Sequence, residues 1–243
     1  MVQFYQIVSE AIPPMPADQS ALGTLPFAAY QYCEAIRAAS AFGWYVFPAE
    51  EIRLRWDGAE VLSYQNDDWE LLTSWTLGDE AMARWVELAP DDLKDRPPPY
   101  LSMLTVPGLV QVWSGFLIGS APDWSIHIRQ PANLVHSHTY FCYEAIIETD
   151  QFRPCPLFIN LKLLATDREI VLLKTKPLIQ VQPIPRAAYV GLGKKSNTVD
   201  ISEMAKLSWD GVRDTLRSSD PDSDHRVGSY AARTRRRAKQ EQQ

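Results

Sequence analysis

Three of the four histidines lie near the middle of the sequence, and two of them, His136 and His138, are separated by one residue. Glu144 has the same parity, so in a strand all three side chains would share one face. Two imidazoles and one carboxylate form the facial triad of non-haem iron enzymes, which leaves positions open for substrate and oxygen. The spacing predicts a site for one Fe or Zn ion made of His136, His138 and Glu144. The alternative is a polar loop with two exposed histidines.

A substrate site is predicted on the preceding strand. His127 and Arg129 alternate with Ile126 and Ile128. If the isoleucines face the core, His127 and Arg129 face a cavity or solvent. Arg129 could then bind a substrate carboxylate through two parallel hydrogen bonds. For His127 the alternative is a hydrogen-bonded histidine that only lines the sheet.

The carboxylates after position 143 are candidates for acid–base catalysis. Glu148 and Asp150 have the parity of Glu144, and paired carboxylates do such chemistry when burial or like charge separates their pKa values. The alternative is an ordinary solvated face. Asn160 interrupts an apolar run at strand spacing and is a candidate to bind substrate on the same side. Cys142 also shares this parity, and is either a thiol ligand or a small buried thiol.

The elements that must position these residues are mostly strands. Helical spacing predicts helices over 26–40, 77–88 and 201–216, and residues 90–100, with three consecutive prolines, indicate a solvated loop or a polyproline segment. Strands are predicted over 44–47, 51–56, 60–64, 109–118, 124–129, 141–148, 157–165, 170–173 and 178–183. Strands in series without intervening helices favour antiparallel pairing. We therefore expect a mainly β (α+β) fold, an antiparallel jelly-roll or cupin-like β-sandwich with a few peripheral helices.

The composition limits the remaining possibilities. The 243 residues are 46% hydrophobic, enough for one large core, and the net charge of −6 makes nucleic acid an unlikely partner. No apolar run is long enough for a membrane span, and three widely spaced cysteines suit a reducing, cytoplasmic setting. We predict one β-rich domain over 1–217 and a disordered basic tail over 218–243.

Several sequence blocks resemble a bacterial family known mainly as a domain of unknown function. They are YCEA (32–35), AFGW (41–44), WDG (56–58), RQPAN (129–133) and YEAIIETD (143–150). The resemblance implies one β-rich domain and adds Asn133 to the candidate substrate-binding residues. The His-x-His segment is also similar to the first metal motif of cupins, although Glu144 comes one residue late and the second motif is missing.

These observations favour a small-molecule enzyme, a metal-dependent oxygenase of specialised metabolism, with Glu148 and Asp150 as catalytic groups. His127, Arg129, Asn133 and Asn160 would bind the substrate. Two alternatives stay open: a non-catalytic domain that binds a small ligand in the same sheet concavity, and a structural or interaction protein. Neither the substrate nor the oligomeric state follows from the sequence.

Overall fold

The computed structural model describes residues 2–76, 78–135, 137–191, 198–200, 202, 209, 211–212 and 229–240. Its strands are β1 (Val2–Gln6), β2 (Met15–Pro16), β3 (Trp44–Val46), β4 (Ile52–Trp56), β5 (Val61–Gln65), β6 (Asp68–Leu71), β7 (Ser74–Trp75), β8 (Leu101–Met103), β9 (Leu109–Ser120), β10 (Trp124–Arg129), β11 (Tyr140–Cys142), β12 (Ala145–Ile147), β13 (Cys155–Leu163), β14 (Glu169–Leu172) and β15 (Ile179–Pro185). The helices are α1 (Phe27–Tyr32), α2 (Glu34–Ala41), α3 (Asp79–Leu88) and α4 (Ser229–Gln240). A 3-10 turn follows β15 at Arg186–Ala188.

The strands form three sheets, in which every described strand pair is antiparallel. The first sheet has the order β11-β13-β9-β8-β7, and β1 pairs with the far end of β9. The second has the order β12-β10-β15-β3-β2, and the third β14-β4-β5-β6. The mainly β, antiparallel fold with few helices is thus confirmed. The jelly-roll or cupin-like arrangement stays a prediction.

One apolar core joins the three sheets. Alternate residues of strands such as β4 and β13 point into it, as the period of two requires. The first sheet contributes Val112, Ile159 and Leu161, and the second contributes Ile126 and Ile128. The third sheet completes the same cluster with Ile52, Leu54, Val61, Ile170 and Leu172. The prediction that Ile126 and Ile128 face the core is therefore correct, and His127 and Arg129 lie on the opposite face.

The strand predicted over 141–148 is wrong, because the chain changes sheets within it. β11 pairs with β13 in the first sheet, whereas β12 pairs with β10 in the second. Tyr143 and Glu144 lie at the crossing, outside both strands. The parity that related Glu144 to Cys142 and to the histidine segment therefore has no structural basis.

The helices differ from their predicted extents for local reasons. The helix expected over 26–40 is interrupted at Cys33, whose backbone is extended (φ −117°, ψ 92°), so it forms α1 and α2. The one expected over 77–88 is α3. Of the segment expected over 201–216, only four residues are described. Within the tail, where we expected disorder, residues 229–240 form α4, and its Arg235 donates to the Glu34 carboxylate and the Gln31 carbonyl of the α1–α2 unit.

No helix among the described residues is long and apolar enough to cross a membrane. The cytoplasmic location stays a prediction.

Candidate functional site

The outer face of β10 carries the first polar cluster. His127 Nε2 lies 3.2 Å from Oε2 of Glu144, and Arg129 Nε lies 3.8 Å from the other oxygen of that carboxylate. All three groups are partly exposed at the edge of the second sheet. The structure thus brings together three of the predicted site residues, as a polar cluster around Glu144.

A second polar cluster lies at the other end of the same strand. Arg186, in the 3-10 turn after β15, makes ion pairs with both Glu148 and Asp150. The Tyr189 hydroxyl lies 2.7 Å from that of Ser125 and donates to the Glu148 carboxylate over 3.4 Å. These contacts connect the segment after β15, which carries Arg186 and Tyr189, to the loop after β12, which carries Glu148 and Asp150.

Asp150 is the most enclosed charged group of this second cluster, with a side chain only 3% exposed. Burial opposes ionisation of its carboxyl group. The hydrogen bonds from Arg186 and from the Asp123 amide outweigh burial and hold the pKa of Asp150 below its ordinary value. An ionised carboxylate against a guanidinium suits an anchoring ion pair, and the catalytic roles of Glu148 and Asp150 stay predictions.

The residues described around the proposed metal site do not fit an iron or zinc ion. Nowhere in the described part of the chain do three His, Cys, Asp or Glu side chains form a group that could hold a metal. His136 lies outside the described residues, and His138 is exposed in a loop. Cys142 donates its thiol to the Leu178 carbonyl, and burial raises its pKa to about 12, as expected for the small buried thiol that the sequence offered as one alternative.

Asn133 connects the RQPAN segment to α2. Its side-chain amide donates to the Ile36 carbonyl and the Ser40 hydroxyl. From β15, the Gln180 amide donates to three carbonyls at the end of the same helix and accepts from the Ala132 amide. These bonds satisfy the last carbonyls of α2, which otherwise lack partners. Substrate binding by Asn133 stays a prediction.

Asn160 lies on a different sheet from the other candidates. Its side-chain oxygen accepts from Gln111, the residue directly opposite it on β9, at 3.0 Å. The pair faces outward from the first sheet. Asn160 therefore projects from a different sheet than Arg129, and its role in substrate binding stays a prediction.

A groove that the sequence analysis missed lies on the outer face of the first sheet. It encloses about 550 Å³ between α3, the segment after it and the strands β9 and β13. This volume is within the range of small-molecule sites. Its lining comprises Ile7, Trp85, Leu88, Ala89, Pro90, Leu93, Arg96, Pro97, Pro98, Pro99, Leu117, Pro154, Pro156 and Phe158. Arg96 is the one charged residue in this lining.

Two contacts of Trp85 fix the walls of this groove. Its ring packs edge-on against Trp113 of β9, with 6.4 Å between the ring centroids, which holds α3 on the sheet. Its indole N–H donates to the Leu93 carbonyl over 2.8 Å, which holds the loop against the helix. The sequence signal for this wall is the Pro97-Pro98-Pro99 run after an amphipathic helix, which indicated only a loop or a polyproline segment.

No family model and no curated protein matches the sequence. Among solved structures, the dUTPase of Staphylococcus bacteriophage 80alpha matches with a TM-score of 0.38 at 8% identity, covering 82% of this chain and 98% of that one. A mutant of it with dUpNHpp matches with a TM-score of 0.36 at 9% identity, covering 82% and 99%. A mutant dUTPase from phage phi11 of S. aureus, with a structural Mg(II) ion, matches at 0.37 and 8%, covering 82% and 97%. A structural similarity this distant does not assign an activity to this chain.

The predicted metal-dependent oxygenase is wrong. Among the described residues, no group of His, Cys, Asp and Glu side chains could hold a metal ion. The predicted strand that would have aligned the ligands is also divided between two sheets. The ligand-binding alternative loses its proposed face, which carries the polar contacts of Glu144 and the contacts of Asn133 to α2. The structural or interaction alternative stays a prediction.

Proposed function

We propose that this chain takes up an apolar organic anion in the groove between α3 and the first sheet. The observation that carries the proposal is the groove itself, an apolar recess of about 550 Å³ with a single cation, Arg96, in its lining. Apolar walls with one well-placed polar group are typical of small-molecule sites. The groove lies on the first sheet, whereas the His127 cluster lies on the second.

The wall of the groove is stiff, which favours binding. Six of its lining residues are prolines, whose backbone φ is fixed and which lose little conformational freedom when a ligand binds. The Trp85 contacts to Trp113 and Leu93 hold helix and loop in place before any ligand arrives. A preformed recess binds with less ordering cost than one that must assemble.

Arg96 determines the charge of the ligand. Its side chain is exposed, and no carboxylate among the described residues pairs with it. A guanidinium beside an apolar surface binds a carboxylate, sulfonate or phosphate through charge-assisted hydrogen bonds. The preferred ligand therefore has an apolar body and one anionic group.

The test uses two fluorescent probes of similar shape, anilinonaphthalene sulfonate and the uncharged N-phenyl-1-naphthylamine. We expect one probe to bind per chain, and laurate to displace it. Leu117→Trp fills the groove and should abolish binding of both probes. Arg96→Ala should weaken the sulfonate about tenfold and leave the neutral probe unchanged, since a hydrogen bond to a charged group contributes about 1.5–3 kcal/mol.

Two matched variants serve as controls. Leu71→Trp adds the same bulk at an exposed leucine of the third sheet, and Arg168→Ala removes an exposed arginine there. Neither should change probe binding. Equal loss in Leu71→Trp and Leu117→Trp, or no binding of either probe to the unaltered protein, would overturn the proposal.

A further inference from the structure

A polar cleft lies on the outer face of the third sheet, at the point where β4 ends and β14 begins. It encloses about 440 Å³, which is within the range of small-molecule sites. The strand registers place Leu62, Arg55 and Glu169 side by side across β5, β4 and β14. The amide of Asp167 donates to the Trp56 carbonyl over 2.9 Å, which holds the loop before β14 against the end of β4. The floor and the walls of the cleft thus belong to one hydrogen-bonded unit.

The lining of this cleft contains charges of both signs, and several of them already have partners. Glu169 makes an ion pair with Arg53, which lies outside the lining. The guanidinium carbon of Arg55 lies 4.1 Å from the centroid of the Trp69 ring. Arg53, and after it the charge of Arg55, hold the pKa of Glu169 below its ordinary value. The Asp57 carboxylate accepts from two backbone amides of the turn that follows it, over 2.8 and 2.7 Å.

Two charged side chains of the lining have no such partner. Asp167 and Arg168 are exposed, and neither side chain makes an ion pair or a hydrogen bond with a described residue. Because both line the cleft, it offers one carboxylate and one guanidinium to the same ligand. Trp56 and Leu62 add an apolar wall beside these charges.

We propose that this cleft binds a small zwitterion, an α-amino acid with an apolar side chain. Its ammonium group lies against Asp167, its carboxylate against Arg168, and its side chain against the apolar wall. A guanidinium binds a carboxylate through paired N–H donors, and an ammonium group donates to a carboxylate. The proposal is independent of the groove, which lies on the first sheet and has one cation and no carboxylate in its lining.

A ligand with a single charge suits the cleft less well. An anion would approach Arg168 against the charge of Asp167 and of the two other carboxylates in the lining. A cation alone would leave the guanidinium of Arg168 unpaired. Since Asp167 and Arg168 are adjacent in sequence, they match a ligand whose two charges are separated by a few bonds, as in an α-amino acid. The apolar wall then favours an apolar side chain.

The experiment titrates the full chain with L-leucine, leucine methyl ester and N-acetyl-leucine by isothermal titration calorimetry. The ester lacks the carboxylate and the N-acetyl compound lacks the ammonium group, so both should bind more weakly than leucine. Arg168→Ala should weaken leucine binding about fivefold, the upper end for an exposed ion pair, and leave the ester unchanged. Asp167→Asn should weaken leucine by a similar factor and leave N-acetyl-leucine unchanged. Asparagine tolerates the positive φ of this position, 57°.

Matched variants identify the site. Asp67→Asn changes another exposed aspartate with a positive φ, 66°, in the turn between β5 and β6, and should leave leucine binding unchanged. Arg153→Ala removes an exposed arginine beside the first sheet and should also have no effect. Leu117→Trp fills the groove and should leave leucine binding as it is. Circular dichroism shows that each variant is folded.

Three results would each overturn the proposal. The first is that leucine does not bind to the unaltered protein. The second is that N-acetyl-leucine or the ester binds as tightly as leucine, because the cleft would then recognise one charge alone. The third is that folded Leu117→Trp loses leucine binding while Arg168→Ala keeps it, which would place the amino acid in the groove.

Discussion

A thiol reacts or binds a metal as the thiolate, and Cys142 is held in the protonated form. Its thiol donates to the Leu178 carbonyl within the core, and burial raises its pKa to about 12. We expect the variant that keeps Cys142 as its sole cysteine, Cys33→Ser with Cys155→Ser, to resist Ellman's reagent at pH 8. It should react fully once unfolded in guanidinium chloride.

The matched control keeps Cys33 alone, which is half-buried at the break between α1 and α2. Its thiol should react in the folded protein at a measurable rate. If the folded Cys142 variant reacts as fast as the Cys33 variant, the thiol is not protected, and the account of Cys142 as a buried donor is incorrect.

At the scale of single residues, sequence parity identified some neighbours and misplaced others. The alternation of Ile126, His127 and Ile128 correctly separated the core face of β10 from its outer face. It failed across 141–148 because parity is defined only within one strand, and the chain leaves β11 before it joins β12. Nor could it reveal that Asn160 bonds to Gln111, since which strands pair is a property of the whole fold.

At the scale of elements, the junction between α2 and β3 depends on Gly43. Its φ of +98° is unfavourable for residues with a side chain, and an added Cβ would lie 2.0 Å from the Val181 carbonyl oxygen. Gly43→Ala should therefore destabilise the fold by several kcal/mol, among the largest effects of single substitutions. Urea unfolding followed by tryptophan fluorescence measures the loss.

Gly58→Ala separates backbone conformation from the steric clash. Gly58 has a similar φ of +106°, but an added Cβ would meet nothing within 4 Å. Only the conformational cost applies there, about 1–2 kcal/mol. Equal destabilisation by the two variants would show that the close approach to Val181 is not what fixes the junction.

Elements with strong local signals were predicted within a few residues, among them β4, β9, β10 and α3. The missed strands β2, β6, β7 and β8 are two to four residues long, too short for alternation to be read in one sequence. The wall of the groove was missed for a related reason. A polyproline segment has no apolar period, so only its contact with Trp85 shows which side faces the sheet.

At the scale of the whole molecule, ionisable groups set a pH range of greatest stability. On the acid side, the Ser20 hydroxyl bonded to Asp18, the Glu60 amide bonded to Asp57 and the Arg53 guanidinium bonded to Glu169 hold the pKa of each carboxyl below its ordinary value. Such groups stabilise the folded state above their unfolded pKa values of 3.8–4.5, and the stabilisation is lost as pH falls through the lower folded values. The free energy of unfolding should thus decrease as the pH is lowered below about 4.

On the alkaline side the sign is reversed, because the neutral forms are the ones that the fold prefers. Burial, together with the nearby Cys142, raises the pKa of Tyr140 from 10.0 to about 12. Between these values the unfolded chain loses a proton that the folded protein keeps, so the free energy of unfolding falls as pH rises. At pH 11 the difference between the folded and unfolded pKa of Tyr140 lowers the free energy of unfolding by about 1 kcal/mol. Tyr140→Phe should remove this loss relative to the unaltered protein.

The control is Tyr5→Phe, which changes an exposed tyrosine and should leave the slope of stability against pH unchanged. Urea unfolding between pH 7 and 11 makes the comparison. Parallel slopes for Tyr140→Phe and the unaltered protein would mean that burial of this hydroxyl does not govern the alkaline limit.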